Sequence, residues 1–235
     1  MQEKPLHGMF TAVPPRYDLV NHVITWCLDN GWRRRAAREC LASNPHRVLD
    51  ICCGTGDLAI GISQLAEKDT EITGLDYSQP MLDIAADKAA AAGVDDNLSL
   101  VHGDAASLPF PGGHFDSVGI SFAFRNLTYK NPLTEQYLAE ILRVLIPGGR
   151  FVIVESSQPK SRLVRASFHL YLKLFVAPIG KWLSGNRGAY HYLAESARRF
   201  YGPREVKDLL LKAGFSDVSY KPLLLGAAGI YIVTK

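Results

Sequence analysis

Short apolar runs alternate with amphipathic stretches along most of the chain, and this alternation predicts the fold. Apolar runs bounded by glycine or polar residues indicate five buried strands, at residues 47–53, 71–76, 98–102, 115–121 and 150–155. Stretches with helical periodicity indicate helices at residues 57–66, 81–92, 133–145 and 203–213. Two weaker strand candidates near the end lie at residues 218–221 and 228–234. Strands and helices in this order predict an α/β fold, with a mostly parallel seven-stranded sheet and helices on both faces.

Two segments lie outside this alternation. Residues 1–45 have a helical pattern with a polar break at Asn30-Gly31, and residues from about 160 to 202 form a helical insertion after the fifth strand. A chain of 235 residues is long enough for one sizeable core. We therefore expect a single domain with four parts: an N-terminal helical segment (1–45), a cofactor-binding core (46–158), a cap insertion (159–202) and the C-terminal end of the core (203–235).

Composition and charge add few constraints. The formal net charge of +3 is too small to indicate nucleic-acid binding by itself, and no apolar run reaches the roughly 18–20 residues that span a bilayer. The first residues lack the basic-then-apolar pattern of a signal peptide, so the cytoplasm is the expected location. No CxxC pair and no metal-ligand cluster appears, so we expect no metal site and small buried thiols at Cys27, Cys40, Cys52 and Cys53.

A glycine-rich turn follows the first predicted strand. Gly54-Thr55-Gly56 lies between a strand and a helix, where glycine lets the backbone approach a ligand and helix N–H groups favour an anionic group. Asp76 lies 20 residues after Gly56, at the predicted end of the second strand. A carboxylate there can accept hydrogen bonds from both ribose hydroxyls of a nucleoside. Dinucleotide enzymes share these features, so they do not by themselves identify the cofactor.

Two further acidic positions separate the cofactor classes. Asp50 stands four residues before Gly54, and its carboxylate suits the cationic α-amino group of a methionyl moiety but would repel a pyrophosphate. A capping or turn aspartate is the alternative for Asp50. After the third strand, Asp104 can accept a hydrogen bond from an adenine amino group, and the Ala105 N–H can reach a ring nitrogen. Together these positions favour S-adenosylmethionine over NAD.

Several motifs resemble those of a known family. Residues 48–59, 74–82, 103–110, 115–116 and 143–150 are similar to the successive motifs of class I methyltransferases. Phe122-Ala-Phe-Arg125-Asn126-Leu is similar to the Phe-Gly-x-Arg-Asn stretch of the UbiE/COQ5 family, the ubiquinone and menaquinone biosynthesis C-methyltransferases. The resemblance covers nearly the whole chain, because further matches lie within residues 10–21, 190–196 and 213–215.

The resemblance implies a Rossmann-like enzyme with a defined reaction. It would transfer a methyl group from S-adenosylmethionine to a ring carbon of a reduced polyprenyl quinone precursor, such as a demethylmenaquinol. Carried over by position, the family's cofactor contacts fall on Thr55, Asp76, Asp104, Ala105 and Ser121. The complete set of candidate cofactor residues adds Asp50, Gly54, Gly56 and Tyr77.

Methyl transfer to a quinol ring requires alignment of the ring carbon and a means to ionise the ring hydroxyl. A phenol has a pKa near 10, and a nearby cation lowers that pKa by stabilising the phenolate. We expect Arg125 to supply this charge and Asn126 to orient the ring oxygen. An ion pair of Arg125 with Asp18 or Glu140 is the alternative.

Four more residues are weaker candidates for the acceptor side of the site. A water held by Arg125, or His169 or His191, can carry the phenolic proton, although surface or packing roles suit both histidines better. Tyr17 and Tyr190 can line the acceptor pocket, and ordinary core positions are an equal alternative.

The insertion after the fifth strand is basic. Residues 156–194 contain no Asp or Glu, and the basic side chains at 160–187 are interleaved with Leu, Phe, Tyr and Trp. This combination suits an anionic membrane surface, from which a polyprenyl substrate has to be drawn. We expect a substrate cap and a transient membrane contact through residues 160–187, peripheral to the inner face of the cell membrane. A solvated helix packed on the domain, or a homodimer face, is the alternative.

Three other functions remain open at this point. One is a methyltransferase for another lipophilic or phenolic acceptor. The second is an NAD-dependent oxidoreductase, which Asp50 and Gly103-Asp-Ala disfavour. The third is a non-catalytic S-adenosylmethionine-binding scaffold within a quinone-synthesis assembly.

Overall fold

The computed structural model describes residues 17–176 and 187–235, with the side chains of residue 17 and of residues 187–192 left out of the description. In chain order the helices and strands are α1 (Tyr17–Thr25), α2 (Leu28–Leu41), β1 (Arg47–Ile51), α3 (Asp57–Ser63), β2 (Glu71–Asp76), α4 (Gln79–Ala92), β3 (Leu98–His102), β4 (Phe115–Ser121), α5 (Phe124–Thr128), α6 (Thr134–Val144), β5 (Leu145–Ser156), α7 (Arg162–Tyr171), α8 (Arg187–Arg199), α9 (Pro203–Lys212), β6 (Asp217–Leu223) and β7 (Ala228–Thr234). A π-helical turn, Leu172–Val176, extends α7, and a 3₁₀ turn, Leu224–Gly226, joins β6 to β7.

The strands form one seven-stranded sheet in the order β3-β2-β1-β4-β5-β7-β6. Strands β1 to β5 are parallel to one another, and β7 is antiparallel to both β5 and β6. The predicted mostly parallel seven-stranded sheet is therefore confirmed. From β1 the chain adds β2 and β3 on one side, and it then returns to place β4 on the other side of β1. The strand order therefore reverses between β1 and β4, and open α/β sheets bind their ligands at such a switch point.

Apolar residues of β1 point to both faces of the sheet and pack against different helices. On one face Leu49 belongs to a core that includes Leu138 of α6 and Val206 of α9. On the other face Val48 belongs to a core that includes Ala36 of α2 and Leu58 of α3. Burial on both faces explains why the consecutive residues Val48 and Leu49 are both apolar.

A third and smaller cluster joins the N-terminal helix to the insertion after β5. Val20 and Ile24 of α1 pack with Leu172 and with other apolar residues of the π turn and α8. The Tyr171 hydroxyl donates to the Ile24 carbonyl at 2.7 Å and accepts from Trp26 Nε1 at 3.1 Å. We call α1, α7, the π turn and α8 the cap, because these elements contact one another above the sheet.

The break between the first two helices differs from the prediction. It lies at Trp26-Cys27, where both residues have a positive φ (55° and 58°), and not at Asn30-Gly31, which lies inside α2. One glycine weakens a helix by only about 1 kcal/mol, and the buried packing of Ala36 outweighs that loss. Cys27 at the break is exposed, and Cys52 and Cys53 are only partly buried, so the expectation of four buried thiols holds for Cys40 alone.

Two strand boundaries also differ from the prediction. β1 ends at Ile51, earlier than predicted, because Cys52 has a φ of 55° and begins the glycine turn. β5 begins at Leu145 and therefore includes the Pro147-Gly-Gly segment that precedes its apolar run.

Gly229 of β7 lies directly under the ring of Tyr220 of β6, since a Cβ built at Gly229 would lie 2.1 Å from Tyr220 Cε2. Gly229→Ala is expected to lower the free energy of unfolding by about 1–3 kcal/mol through overpacking. Gly31→Ala is the control: its Cβ would meet no atom within 4 Å, and alanine should raise the free energy of unfolding by about 0.5–1 kcal/mol. Urea unfolding measures both, and equal effects would contradict the packing argument.

Candidate functional site

A cavity of about 1100 Å³ opens where β1, β2, β3 and β4 end. Residues that follow these strands line one side of it, and residues of α1, α2 and the cap line the other. Ligand sites in proteins are typically about 300–1,000 Å³. The volume is therefore sufficient for a nucleoside cofactor together with a second, apolar ligand.

The glycine turn after β1 contains residues in the left-handed region at Cys52, Gly54 and Gly56, with φ of 55°, 56° and 83°. A Cβ built at Gly54 would meet no atom within 4 Å, and Gly54 lines the cavity. A Cβ at Gly56 would lie 3.0 Å from Ala85 Cβ. Gly54 thus leaves open space for a ligand. Gly56 does not line the cavity, contrary to its expected place among the cofactor contacts, and its role is to let α3 pack against α4.

Asp76 holds this turn from the end of β2. Its Oδ2 accepts a hydrogen bond from the Gly54 N–H at 2.8 Å, and its Oδ1 accepts one from the Ser78 N–H at 2.8 Å. Burial raises the pKa of Asp76, although these backbone donors oppose the rise. Asp76 and Tyr77 both line the cavity, and a carboxylate can accept about four hydrogen bonds, more than these backbone donors supply.

The ends of β3 and β4 contribute Asp104, Ala105 and Ser121 to the same cavity. Asp104 Oδ1 accepts a hydrogen bond from the Ala106 N–H at 2.9 Å, which shapes the turn after β3. Ser121 Oγ accepts a hydrogen bond from Arg33 Nε at 3.1 Å. Most of the cofactor candidates therefore meet at one cavity, namely Gly54, Thr55, Asp76, Tyr77, Asp104, Ala105 and Ser121.

Arg125 lies in the first turn of α5 and also lines the cavity. Its Nη1 donates to Glu155 Oε1 at 2.7 Å and to Ser156 Oγ at 2.8 Å, and its backbone N–H donates to Glu155 Oε2 at 3.0 Å. Its Nε donates to Ser196 Oγ of α8 at 3.0 Å. The ion pair is almost fully buried, with 3% of the Arg125 side chain and 0% of the Glu155 side chain exposed. The partner of Arg125 is therefore Glu155, and neither Asp18 nor Glu140.

Asn126 follows Arg125 and lines the cavity. Its side-chain Oδ1 is buried and has no hydrogen-bond partner in the described part of the chain, while its main-chain carbonyl accepts from Asn131 Nδ2 at 2.8 Å. An unpaired buried acceptor is unfavourable by about 1–3 kcal/mol. A ligand hydroxyl that donates to Asn126 Oδ1 would remove this penalty.

Charged residues of α1 and α4 reach the glycine turn as well. Thr55 Oγ1 donates to Asp18 Oδ1 of α1 at 2.7 Å. Lys88 Nζ of α4 donates to Asp18 Oδ2 at 2.8 Å and also pairs with Asp57 at the start of α3. Sequence reasoning missed this network, because the residues that bond to each other in it are 31 to 70 positions apart along the chain.

The whole sequence matches one family. The model of the ubiE/COQ5 methyltransferase family matches residues 1–235. The chain belongs to the ubiE/COQ5 methyltransferase family. It is therefore an S-adenosylmethionine-dependent methyltransferase, as the motifs around the glycine turn predicted.

Individual relatives support this assignment over the full length. A demethylmenaquinone methyltransferase from Deinococcus radiodurans is 43% identical, covering 97% of this chain and 91% of the relative. One from Thermus thermophilus is 41% identical, covering 95% of this chain and 98% of the relative. The solved structure of an S-adenosylmethionine-dependent methyltransferase from Aquifex aeolicus shares the fold, with a TM-score of 0.57, 17% identity and coverage of 80% of this chain and 81% of that chain.

Asp50 of this methyltransferase does not face the cavity, contrary to the expected contact with the amino group of the cofactor. It is 1% exposed and is not among the residues that line the cavity. Its Oδ2 accepts from the Ala59 N–H at 2.9 Å in the first turn of α3, and its Oδ1 has no hydrogen-bond partner among the described residues. The position fits the capping alternative, since the carboxylate is oriented toward the helix behind the turn.

Burial raises the pKa of Asp50 well above its ordinary value. The stability that this group contributes is therefore complete below the unfolded pKa of about 4 and is lost as the pH rises through the raised folded pKa. Asp50→Asn keeps an acceptor for the Ala59 N–H and removes the titration. We expect the free energy of unfolding to decrease less with rising pH in the variant than in the unmodified protein. Urea unfolding at several pH values measures this difference. Identical pH profiles would contradict a buried, titrating cap.

Of the remaining candidates on the acceptor side, His169 is not brought to the cavity. His169 Nε2 is hydrogen-bonded to Gln158 Oε1 at 2.9 Å, and His169 does not line the cavity. Burial and the nearby Arg198 and Arg165 lower its pKa. The position of His169 therefore fits the packing alternative better than a role in carrying the phenolic proton. The side chains of the other three candidates lie outside the described part of the structure, namely Tyr17, Tyr190 and His191.

Proposed function

We propose that this methyltransferase methylates a ring carbon of a reduced demethylmenaquinone-type polyprenyl quinol. The observation that carries the proposal is the position of Arg125 and Asn126 on the same cavity as the cofactor candidates. The 43% and 41% identical relatives that are named demethylmenaquinone methyltransferases support the choice of acceptor.

The proposed cofactor site follows the ends of β1 to β4. Asp76 would bind the ribose hydroxyls, and Asp104 with the Ala105 N–H would bind the adenine. The open space next to Gly54 and the position of Asp76 on the cavity support a nucleoside at this place. Thr55, Tyr77 and Ser121 complete the proposed set of contacts.

S-adenosylmethionine supplies a methyl group that its sulfonium has already activated, so the chain needs to align the acceptor and exclude water. Asn126 would accept a hydrogen bond from the quinol hydroxyl that keeps its proton. Arg125 would stabilise the other ring oxygen as it loses its proton, with a water held beside Arg125 carrying that proton away. Because Glu155 neutralises the net charge of Arg125, the contribution of Arg125 is a directed hydrogen bond in a buried site.

The apolar lining of the cavity supports a polyprenyl acceptor. Ile24, Phe168 and Leu172 line it from the cap side, and the apolar surface continues to exposed residues at the cavity wall. Trp26 is 75% exposed and Leu225 is 79% exposed, although both also line the cavity. An apolar path from the site to the surface suits a prenyl tail that is longer than the cavity.

A transient membrane contact through residues 160–187 is the second part of the proposal. Within the described residues, each helix is too short or too polar to cross a bilayer. Four exposed apolar residues of α7 and the π turn support a surface contact, and they lie in the same segment as its basic residues: Leu163, Leu170, Leu174 and Phe175.

Cosedimentation with anionic vesicles at low salt tests the membrane contact. A protein that stays in the supernatant, or a homodimer that buries this segment, would contradict it.

The role of Asn126 in orienting the acceptor can be tested by substitution. Asn126→Ala is expected to lower kcat about 10- to 100-fold, the value of a hydrogen bond of about 1.5–3 kcal/mol, and to leave cofactor affinity unchanged. Asn97→Ala is the matched control, because the Asn97 Oδ1 is also buried without a partner among the described residues but does not line the cavity. Initial rates with a reduced demethylmenaquinone analogue measure the effect, and equal rates for both variants would exclude the role.

Side-by-side rates with naphthoquinol and benzoquinol acceptors test the choice of ring. We expect transfer to the naphthoquinol, in its reduced form only, because the quinone has no phenolic oxygen to ionise. Transfer to the benzoquinol alone would assign a different quinone precursor to the site.

A further inference from the structure

A buried cation of α2 lies on the cavity wall. Arg33 lines the cavity, and only 12% of its side chain is exposed. Its Nε donates to Ser121 Oγ at 3.1 Å, its Nη1 pairs with Asp29, and its Nη2 lies 3.7 Å from Asp57 Oδ2. The guanidinium carbon lies 5.3 Å from the centroid of the Phe122 ring. These contacts fix the guanidinium next to the ends of β1 and β4.

Asp29 holds Arg33 in this position. It is 1% exposed, and its Oδ1 accepts from Thr25 Oγ1 at 2.7 Å while its Oδ2 contacts His22 Nδ1 at 2.9 Å. Burial by itself would raise the pKa of Asp29, but the hydrogen bond from Thr25 and the charge of Arg33 outweigh it and lower the pKa. Asp29 is therefore ionised, and its bonds to three side chains orient the guanidinium.

The strand order indicates which part of the cofactor reaches Arg33. Asp76 at the end of β2 would hold the ribose, and Asp104 at the end of β3 would hold the adenine. In the order β3-β2-β1-β4, the cofactor then runs past the glycine turn of β1, and its methionyl end lies toward β4. Ser121 ends β4, and its hydroxyl accepts the hydrogen bond from Arg33.

The charges around Arg33 complement this end of the cofactor. Among the described residues, ion pairs join Arg33 and Lys88 to the three carboxylates of Asp18, Asp29 and Asp57, so the cluster holds one more negative than positive charge when His22 beside Asp29 is counted as neutral. S-adenosylmethionine has a sulfonium, an ammonium and one carboxylate, and thus one more positive than negative charge. A site for its methionyl end needs a cation for the carboxylate within acidic surroundings, which this cluster offers.

We propose that Arg33 binds the α-carboxylate of the methionyl group of S-adenosylmethionine and that Asp29 is the residue that positions Arg33. A planar guanidinium held by a buried carboxylate is suited to hydrogen-bond a second carboxylate. The Ser121 hydroxyl, which accepts from Arg33 Nε, can donate its proton to the same ligand carboxylate. The inference rests on the proposed placement of the nucleoside at Asp76 and Asp104.

Binding of two ligands to the unmodified protein gives the first test. S-adenosylhomocysteine has the α-carboxylate, and its decarboxylated analogue S-adenosyl-3-thiopropylamine lacks only that group. We expect calorimetry to show about 10- to 100-fold weaker binding of the analogue, as for loss of a charge-assisted hydrogen bond. Affinities within about threefold of each other would overturn the proposal, because a bound carboxylate contributes more than that.

Substitution then identifies the partner of the carboxylate. Arg33→Gln is expected to weaken S-adenosylhomocysteine binding by a similar factor and to leave the analogue within about threefold of its wild-type affinity. Arg34→Gln removes the same charge from an exposed position of α2 and should change neither affinity. Equal weakening of both ligands by Arg33→Gln, or no weakening, would overturn the proposal.

A second variant covers the case in which Arg33→Gln fails to fold. Asp29→Asn/Arg33→Gln removes the uncompensated buried carboxylate as well, and it must show the same selective loss for the ligand that has the carboxylate. The assay contains no methyl acceptor. If the protein prefers S-adenosylhomocysteine over the analogue but methylates no quinol, the proposed acceptor is refuted and the role of Arg33 stands. If it methylates the quinol but binds both ligands equally, only the role of Arg33 is refuted.

Discussion

Replacement of Arg125 by alanine is expected to lower turnover about 100- to 1,000-fold and to lower the free energy of unfolding by about 3–5 kcal/mol. Turnover decreases because the hydrogen-bond donor next to the ring oxygen is lost. Stability decreases because Glu155, with 0% of its side chain exposed, would keep a buried charge without its partner. Arg125 also donates to Ser156 and to Ser196, so the link from α5 to α8 of the cap is lost as well.

A double variant separates the two effects. Arg125→Met/Glu155→Gln removes both charges at similar volume, and we expect it to recover most of the stability and none of the turnover. Arg47→Ala is the control for stability, since its ion pair with Glu71 is exposed and contributes about 0–1 kcal/mol. Recovery of turnover in the double variant would show that Arg125 only maintains the fold. Urea unfolding and initial rates on the same preparations give both quantities.

The second large effect is expected at Asp76. Asp76→Ala should weaken S-adenosylhomocysteine binding at least about 100-fold, because the carboxylate would make more than one hydrogen bond to the ribose. The same carboxylate accepts the N–H groups of Gly54 and Ser78, so the glycine turn also loses its support. Asp76→Asn keeps an acceptor and should show a smaller loss.

Calorimetric titration with S-adenosylhomocysteine measures this effect, and Asp83→Ala is the control. Asp83 is an exposed residue of α4 and does not line the cavity, so its removal should leave the affinity unchanged. A loss of less than about tenfold for Asp76→Ala would place the ribose away from the end of β2, since even one lost charged hydrogen bond weakens binding about tenfold or more.

Local sequence patterns predicted the elements that form the cavity. β2 and β7 have the predicted boundaries, and Gly93 ends α4 with a φ of 66° as a glycine cap does. The glycine turn, Asp76 and Asp104 were assigned to one nucleoside site from their positions at the ends of predicted strands, whereas Ser121 came only from the resemblance to the family. The first part of that assignment needs only strand periodicity and chain order, which are present in the sequence.

Residues whose role depends on distant partners were not predictable in the same way. The sequence placed Asp50 beside the glycine turn correctly but could not show that its carboxylate is oriented toward the Ala59 N–H, nine positions later. Glu155 was missed as the partner of Arg125, 30 residues away. One signal was available, because a carboxylate at the end of an apolar strand needs a buried partner. The strand order that brings β5 beside β4 was required to identify it.

The position of the transferred methyl group tests the central claim most directly. The purified protein would be given S-adenosylmethionine with a labelled methyl group and a reduced demethylmenaquinone analogue, and the product would be analysed by mass spectrometry and NMR. We predict a new carbon–methyl bond on the quinone ring, formed only from the reduced acceptor. A methyl group on a ring oxygen, or tight cofactor binding without transfer to the ring, would contradict the account.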